Sequence, residues 1–298
     1  MMKNVIAIVG PTAVGKSDIS LSLANKIDAE IISGDAFQFY KGMDIGTAKL
    51  TIREQQDIPH HLLDIIEPEC PFSVADYQHI VRKKIHTLRE KEIHPIIVGG
   101  SGLYVQSVLY DYVFVGKQRD NGRFRDMTAE QMAMLLERKN KTLAQKTHPN
   151  DKKRLKRSLE VAGARDKKQL KRGKNLYYAD AKIYALTMER KDLYERINKR
   201  VDEMIVKGLV DEARKFYERC PDARSMQAIG YKEFFPYFEG KKDLENVVEE
   251  IKKHSRHFAK RQLTWFRNKM DPIWFDAGEM STEAIANAIA EDIKKSDA

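Results

Sequence analysis

Cysteine is scarce in this sequence, and long apolar runs are absent from it. The two cysteines among 298 residues, Cys70 and Cys220, each precede a proline and have no CxxC or Cys/His spacing. This pattern indicates neither a disulfide framework nor a zinc site. No stretch approaches the roughly 18 apolar residues of a membrane span, and the run Val5–Val9 is too short for a signal sequence. We therefore expect a cytoplasmic protein with no membrane segment.

Positive charge exceeds negative charge, and the excess is concentrated in one segment. Lys and Arg number 53 against 44 Asp and Glu, which gives a net charge of +9. Residues 152–174 contain eleven Lys or Arg and only two acidic residues. The net charge of this basic segment therefore equals that of the whole chain. Such a local excess favours an anionic partner, although charge alone does not identify it.

Residues 10–17 read GPTAVGKS and follow an apolar run. The spacing of Gly10, Gly15, Lys16 and Ser17 is that of a P-loop. In such a loop, backbone N–H groups converge on phosphate oxygens at a helix N-terminus, the lysine adds a positive charge and the serine hydroxyl can bind Mg²⁺. A glycine turn without a ligand is the alternative. A nucleotide and a diphosphate ester would satisfy the same donors.

The first hundred residues alternate between strand and helix patterns. A helix is predicted from Ser73, because Asp76 completes a capping box. Buried strands are predicted at four runs: Asn4–Val9, Glu30–Ser33, Leu62–Ile66 and Pro95–Val98. Strands separated by helices predict an α/β fold with a mainly parallel sheet, whose ligands lie at the carboxyl ends of the strands.

The alternating pattern is interrupted in the middle of the chain. Apolar periodicity fades after residue 114, and a strand pattern returns only at Lys182–Met188. We therefore predict a core formed by residues 1–114 and 181–298, with a helical insertion at 115–180. Helical patterns dominate the chain after the returning strand.

Two turns are expected beside the P-loop. Asp35 follows the second predicted strand, where its carboxylate can take a proton from a nucleophile or hold Mg²⁺ through water. Capping of the next turn is the alternative role. Ser101 lies in the sequence GGSG after the strand PIIV, where glycines allow close approach to a ligand, but serine is also a common N-cap. That strand lacks the terminal Asp of ATP hydrolases, which favours a transferase or small kinase.

A second basic stretch lies near the C-terminus. Between Ile251 and Lys269 the chain carries seven basic residues and no acidic one, interleaved with Phe258, Trp265 and Phe266. The pattern fits both a nucleic-acid-binding face and the solvated face of an amphipathic helix.

Seven segments together resemble one family. In chain order they are GPTAVGKS, SGDAFQFYKGMDIGTAK, PHHLLDI, VGGSGLYVQ, HPNDKKRLKRSLEV, SMQAIGYKE and AKRQLTWFR. They are similar to those of the bacterial tRNA dimethylallyltransferases, also called tRNA isopentenyltransferases. The resemblance covers nearly the whole chain and is weakest at 115–147. It implies a P-loop NTPase-like core that transfers a dimethylallyl group from dimethylallyl diphosphate to N6 of the adenine 3′ of the tRNA anticodon.

The resemblance also implies the residues that hold the donor. The hydroxyl of Ser101, where the family usually has Thr, lies at the reacting end of the diphosphate, and Mg²⁺ is bound near Ser17. Arg224 is a further candidate for the diphosphate, with a surface arginine before a helix as the alternative. The remaining diphosphate contacts come from the whole P-loop: Gly10, Pro11, Thr12, Ala13, Val14, Gly15, Lys16 and Ser17. We expect a monomer.

Contacts to tRNA are implied at three places. The carboxylate of Asp35 acts on the adenine amino group, close to Ser101. The next residues, Ala36, Phe37 and Gln38, match a stretch usually written DSMQ, so only Gln38 keeps the family residue. An arginine before the segment HPND, either Arg123 or Arg125, is a further contact that the sequence leaves open. The basic segment contributes a stretch after a helix start capped by Asn150 or Asp151: Lys153, Arg154, Leu155, Lys156 and Arg157.

Two other functions fit parts of the sequence. A small-molecule or nucleotide kinase would use the same P-loop, with Asp35 accepting the hydroxyl proton and residues 115–180 acting as a lid. A P-loop RNA-binding protein without chemistry would leave Asp35 replaceable. The concentration of net charge in one segment argues against the kinase.

Overall fold

In the part of the chain that the structure describes, six short strands pair in parallel to form one sheet. The strands are β1 (Ile6–Val9), β2 (Ala29–Ser33), β3 (His60–His61), β4 (His94–Gly99), β5 (Lys182–Thr187) and β6 (Ile273–Asp276). Their order is β3-β2-β4-β1-β5-β6, so β1 is central and pairs with β4 and β5. All four residues of β1 are buried. A parallel sheet covered on both faces favours apolar runs such as IAIV, which is why these central strands are readable from the sequence.

The structure is a computed structural model that describes residues 3–114, 124, 126–162 and 175–297. The helices within these residues are α1 (Lys16–Ala24), α2 (Val74–Glu90), α3 (Gly102–Leu109), α4 (Ala129–Lys139), α5 (Lys141–Gln145), α6 (Lys152–Ala162), α7 (Arg190–Val206), α8 (Leu209–Arg219), α9 (Phe235–Phe238), α10 (Leu244–Lys269) and α11 (Thr282–Asp297). None of them combines the length and the apolar character that a membrane crossing requires.

The helix predicted from Ser73 is confirmed as α2. Its capping box is complete, because Ser73 Oγ accepts the N–H of Asp76 at 3.2 Å and the Asp76 carboxylate accepts the N–H of Ser73 at 2.9 Å. Four apolar residues on one side of this helix are buried: Tyr77, Val81, Ile85 and Leu88. This helix packs on the sheet next to α3 and β4.

The strand predicted at Leu62–Ile66 is wrong. Leu62 and Asp64 adopt φ values of 64° and 54°, which are incompatible with an extended strand. The observed strand is β3, just before this run, and Ile66 forms only an isolated bridge with Tyr40. The edge strand β6 was not predicted, because it is short and only half-buried in a helical context.

The chain divides into two units. One consists of Met1–Tyr110 and Leu176–Ala298, and the other of Asp111–Asn175. The boundaries lie four to five residues before those expected from the sequence. In the larger unit, α2, α3 and α8 help to cover one face of the sheet, and α1, α7 and α11 help to cover the other. In the smaller unit, α4 and α6 pack together around a separate apolar cluster: Phe124, Met132, Leu136, Leu155 and Leu159.

Candidate active site

The P-loop joins β1 to α1 at the carboxyl edge of the sheet. Gly15 precedes α1 with φ 100° and provides no side-chain cap, which leaves N–H groups at the helix start for an anion. Ala13 has φ 64°, a conformation that non-glycine residues adopt at a cost and that is concentrated at ligand-binding loops. The ammonium group of Lys16 donates to the Pro11 carbonyl at 2.6 Å within the loop.

Asp35 and Ser101 lie close together beyond the ends of β2 and β4. Ser101 Oγ accepts the N–H of Ala36 at 3.0 Å, and Asp35 Oδ1 accepts the N–H of Phe37 at 2.9 Å. Gly99 makes this approach possible, since a Cβ at that position would lie 2.3 Å from the backbone of Gly34. The structure thus brings the turns with Asp35 and Ser101 together beside the P-loop.

Two neighbouring cavities meet at these turns. The larger, of about 680 Å³, is lined by polar groups that include Lys16, Ser17 and Gln38. The smaller, of about 280 Å³, contains Ser101 and Phe37. Both cavities are lined by Thr12, Ala13, Asp35 and Arg200. The rest of the smaller cavity is largely apolar and includes Ile197, Val201, Met204, Ile229, Ile251 and Phe258.

Arg200 is the charged group of the site that the sequence reasoning missed. It lies on α7, and its Nη1 donates to Thr12 Oγ1 at 3.3 Å. The pKa of Lys16 is lowered to about 7, mainly by burial and also by the nearby charge of Arg200, while Asp35 opposes both. Burial raises the pKa of Asp35, although the N–H of Phe37 and the two cations oppose this shift. The two cations next to Asp35, Lys16 and Arg200, make the part of the cavity at the P-loop suited to an anionic ligand.

Gln262 of α10 connects the P-loop to the GGSG turn. Its Oε1 accepts the N–H of Thr12 at 2.9 Å, and its Nε2 donates to the Gly100 carbonyl at 3.0 Å. A Cβ on Gly100 would lie 2.0 Å from that Nε2, and a Cβ on Gly102 would lie 2.3 Å from the ring of Trp265. Gly100 and Gly102, where close approach to a ligand was expected, therefore allow α10 to pack closely against this turn.

Gln38 is held by its own loop. Its Oε1 accepts from Ser33 Oγ at 2.8 Å, and its Nε2 donates to the carbonyls of Thr47 and Ala48 at 3.1 and 3.4 Å. This network fixes which end of the amide is the donor and which the acceptor. Ala36 contributes its N–H to Ser101, and Phe37 contributes a ring to the smaller cavity.

Arg224 does not lie at the site. It lines neither cavity, and its Nη1 donates to the Phe72 carbonyl at 3.2 Å, so its guanidinium is engaged elsewhere. Arg200 is instead the arginine beside the P-loop. The other two candidate arginines, Arg123 and Arg125, lie outside the described residues.

The predicted tRNA-contacting stretch forms the first turns of α6 in the smaller unit. Asp151 is its cap, since Oδ1 accepts the N–H of Arg154 at 2.9 Å. Leu155 is 1% exposed in the apolar cluster, so its side chain is unavailable to tRNA, contrary to expectation. The basic members of the stretch surround it: Lys153 and Arg154 are exposed, and Lys156 and Arg157 are half-buried.

The residues at Ser17 fit a Mg²⁺ ion that is bound together with a phosphate. The Ser17 hydroxyl and Asp35 line the same cavity. The described part of the chain contains no group of three or more His, Cys, Asp or Glu that could hold a metal. Mg²⁺ commonly takes one or two protein ligands and completes its shell with phosphate oxygens and water. Mg²⁺ therefore stays a prediction, tied to the phosphate ligand.

Comparison with known proteins identifies the family of this chain. The family model described as IPP transferase matches residues 38–269. The chain belongs to the IPP transferase family. The tRNA dimethylallyltransferase of Bacillus subtilis is 47% identical over 288 residues, covering 91% of this chain and 90% of that relative. That of Geobacillus kaustophilus is 48% identical over 288 residues, covering 93% and 91%.

Solved structures of IPP transferases agree with this assignment. The tRNA isopentenylpyrophosphate transferase of Bacillus halodurans has a TM-score of 0.76 at 39% identity and covers 99% of this chain and 98% of its own. A eukaryotic dimethylallyltransferase acting on tRNA has a TM-score of 0.85 at 29% identity, covering 99% and 80%. The resemblance and the P-loop NTPase-like fold predicted from the sequence are confirmed. The chain is a transferase of this family, and the family assignment removes the kinase alternative.

Proposed function

We propose that this transferase moves the dimethylallyl group of dimethylallyl diphosphate to N6 of the adenine 3′ of the tRNA anticodon and releases diphosphate. The observation that carries the proposal is the pair of neighbouring cavities that share lining residues. One holds the P-loop with Lys16 and Arg200, the other is largely apolar, and Asp35 lines both. A diphosphate ester with a short hydrocarbon chain has the same two parts.

The reaction forms a bond between N6 and the allylic carbon, breaks the bond from that carbon to the diphosphate oxygen and releases a proton from N6. Asp35 accepts this proton, since an exocyclic amine is a poor nucleophile until it loses one. Burial raises the pKa of the Asp35 carboxyl, which makes the ionised form a stronger base.

The departing diphosphate gains negative charge, and donors around the two cavities offset it. They are the P-loop N–H groups, Lys16, Arg200 and the Ser101 hydroxyl. A Mg²⁺ beside Ser17 would add a further positive charge when bound. Allylic carbon tolerates positive charge, so stabilisation of the leaving group contributes most to the rate.

The smaller cavity is suited to the hydrocarbon part. Its aliphatic and aromatic lining excludes water from the allylic carbon, where water would compete with the amine. The target adenine has to leave its stack to reach Asp35. The basic face of α6 supplies affinity for the tRNA backbone. A monomeric state and a cytoplasmic location stay predictions.

The deciding experiment is incubation of the protein with unmodified tRNA and either dimethylallyl diphosphate or ATP, followed by mass analysis of the nucleosides. We expect prenylated adenosine with the first donor only. Asp35→Asn should lower kcat by roughly 10² or more, while donor affinity is retained because both cations remain. Asp222→Asn, an exposed carboxylate with the same chemical change, is the control. Unmodified adenosine together with consumption of ATP would refute the proposal.

A further inference from the structure

The carboxylate of Glu212 on α8 faces a loop rather than solvent. Its Oε2 accepts the N–H groups of Asp44 and Ile45, each at 2.9 Å. Its Oε1 accepts the N–H of Gly46 at 3.0 Å and the hydroxyl of Tyr231 at 2.6 Å. Four donors use the full acceptor capacity of an ionised carboxylate. Three of them are successive backbone N–H groups, an arrangement that binds an anion strongly.

The opposite side of this loop faces the active site. We refer to residues 44–48 as the acceptor loop. Gly46 and Thr47 line the smaller cavity together with Asp35. The carbonyls of Thr47 and Ala48 receive the two hydrogen bonds from the Gln38 amide. The Glu212 carboxylate and the Gln38 amide therefore bind the two sides of the same five residues.

Steric contacts hold the acceptor loop in the same position. A Cβ on Gly46 would lie 2.5 Å from the ring of Tyr231, so this glycine is required for the close approach. Tyr231 is fully buried, and its hydroxyl donates to Glu212. The ring thus limits where the loop can lie, while the carboxylate fixes how its N–H groups point.

We infer that Glu212 is a positioning residue for the acceptor side of the reaction. It holds the acceptor loop so that Thr47 and Ala48 orient the Gln38 amide and Gly46 shapes the cavity at Asp35. Both Nε2 hydrogens are donated to the loop and Ser33 donates to Oε1, so the remaining lone pair of Oε1 is the group that can accept from the adenine amino group while the amide is held in this orientation. The inference rests on the proposed function, in which Gln38 meets the adenine, and it predicts a larger effect on tRNA use than on donor use.

The test compares Glu212→Gln with the matched control Glu218→Gln, an exposed residue on the same helix. Glutamine has no negative charge, and its NH₂ group replaces one of the two carboxylate oxygens. The two hydrogen bonds that this oxygen accepted are therefore broken. We expect kcat/KM for tRNA to fall roughly 10- to 100-fold, as for the loss of a hydrogen bond to a charged group. The KM for dimethylallyl diphosphate should rise by a smaller factor, because Gly46 and Thr47 also line the cavity assigned to its hydrocarbon part. The control should match the wild type.

Amide hydrogen exchange gives an independent readout. Exchange at Asp44, Ile45 and Gly46 should accelerate at least about tenfold in Glu212→Gln, while amides of β1 and β4 keep their protection. Tyr231→Phe serves as a second variant if Glu212→Gln does not fold. It removes one of the four donors, so it should show a smaller loss with the same selectivity for tRNA.

Three results would overturn the inference. They are an unchanged kcat/KM for tRNA, an equal rise in the donor KM, and faster exchange spread over the whole sheet. Wild-type protein in the same assay separates this outcome from a failure of the proposed function. If the wild type formed no prenylated adenosine, the proposed function and the inference resting on it would both be wrong; normal wild-type turnover with an unaffected variant would refute the inference alone.

Discussion

The charge on Lys16 is the residue-scale property that most affects donor binding. In a P-loop the lysine holds phosphate as an ammonium ion, yet burial and the neighbouring Arg200 lower its pKa to about 7. A group with this pKa is charged below neutral pH and loses its charge as the pH rises through 7. Near neutrality, part of the free protein therefore lacks the positive charge of Lys16.

We predict that kcat/KM for dimethylallyl diphosphate decreases as the pH rises through about 7. The parameter reports ionisation of the free enzyme, so the alkaline limb follows the Lys16 ammonium. Lys16→Arg keeps a positive charge at every pH studied and should move that limb upward by roughly two units or more, although its different shape lowers the plateau. Steady-state rates between about pH 6 and about pH 9 test this. The same limb in Lys16→Arg would assign it to another group.

The sequence allowed some site residues to be predicted and concealed others, for a geometric reason. Lys16, Asp35 and Ser101 each follow a predicted strand, so the parallel sheet brings their turns to one edge. Arg200 and Glu212 act on partners 188 and 166 to 168 residues away in the chain. Both lie in amphipathic helices of mixed charge, where a contact residue has the same pattern as a solvated one. Arg224 is the opposite case. It directly precedes a segment that matches the family, but its guanidinium donates to the backbone carbonyl of Phe72.

Among the elements, α10 is the helix that joins the turns of the site. Its basic stretch has a buried side and an exposed side, which agrees both with a nucleic-acid-binding face and with a solvated helix face. Ala259, Gln262 and Phe266 are buried, whereas most of the basic residues are exposed. The buried side brings Gln262 between the P-loop and Gly100, and Trp265 over the start of α3. Periodicity therefore predicted the helix, but it could not predict which turn the helix would contact.

We predict that Gly102→Ala lowers the free energy of unfolding. Alanine gains at most about 1 kcal/mol in helix propensity, but its Cβ would lie 2.3 Å from the Trp265 ring, and overpacking costs about 1–3 kcal/mol. The clash therefore exceeds the gain. Gly278→Ala, at an exposed position where the nearest atom would be a flexible side chain at 3.1 Å, is the control and should change stability by less than about 0.5 kcal/mol.

Denaturant unfolding measures both variants, and a double-mutant cycle identifies the cause. In a Trp265→Ala background, Gly102→Ala should cost close to nothing, because the ring that it meets is gone. An equal loss in both backgrounds would mean that the backbone at Gly102, and not the ring, sets the requirement for glycine.

For the whole molecule, the distribution of charge is the property that connects composition to function. The sequence places its entire net charge in residues 152–174, and the described part of that segment is α6. Leu155 and Leu159 anchor this helix in its own apolar cluster, while Lys153 and Arg154 are exposed. A surface of this kind binds a phosphate backbone by releasing counterions, so its contribution depends on salt.

We predict that Lys153→Gln, Arg154→Gln and Arg157→Gln together weaken tRNA binding and flatten its salt dependence. Each lost phosphate contact removes roughly 0.7–0.9 from the slope of log K against log salt, so the slope should decrease by about 2–3. Arg157 contributes least if its pairing with Glu160 persists. Affinity for dimethylallyl diphosphate should not change. Binding titrations at several salt concentrations measure both constants.

The control for this variant carries the same change in charge elsewhere in the smaller unit. Arg138, Lys139 and Lys141 are exposed on α4 and α5, and their replacement by glutamine also removes three positive charges. If net charge alone attracts tRNA, both triple variants lose the same slope. If the face of α6 contacts the tRNA backbone, only the first variant loses slope. Counterions are released where the protein contacts phosphates, and attraction from more distant charges is screened within about 10 Å.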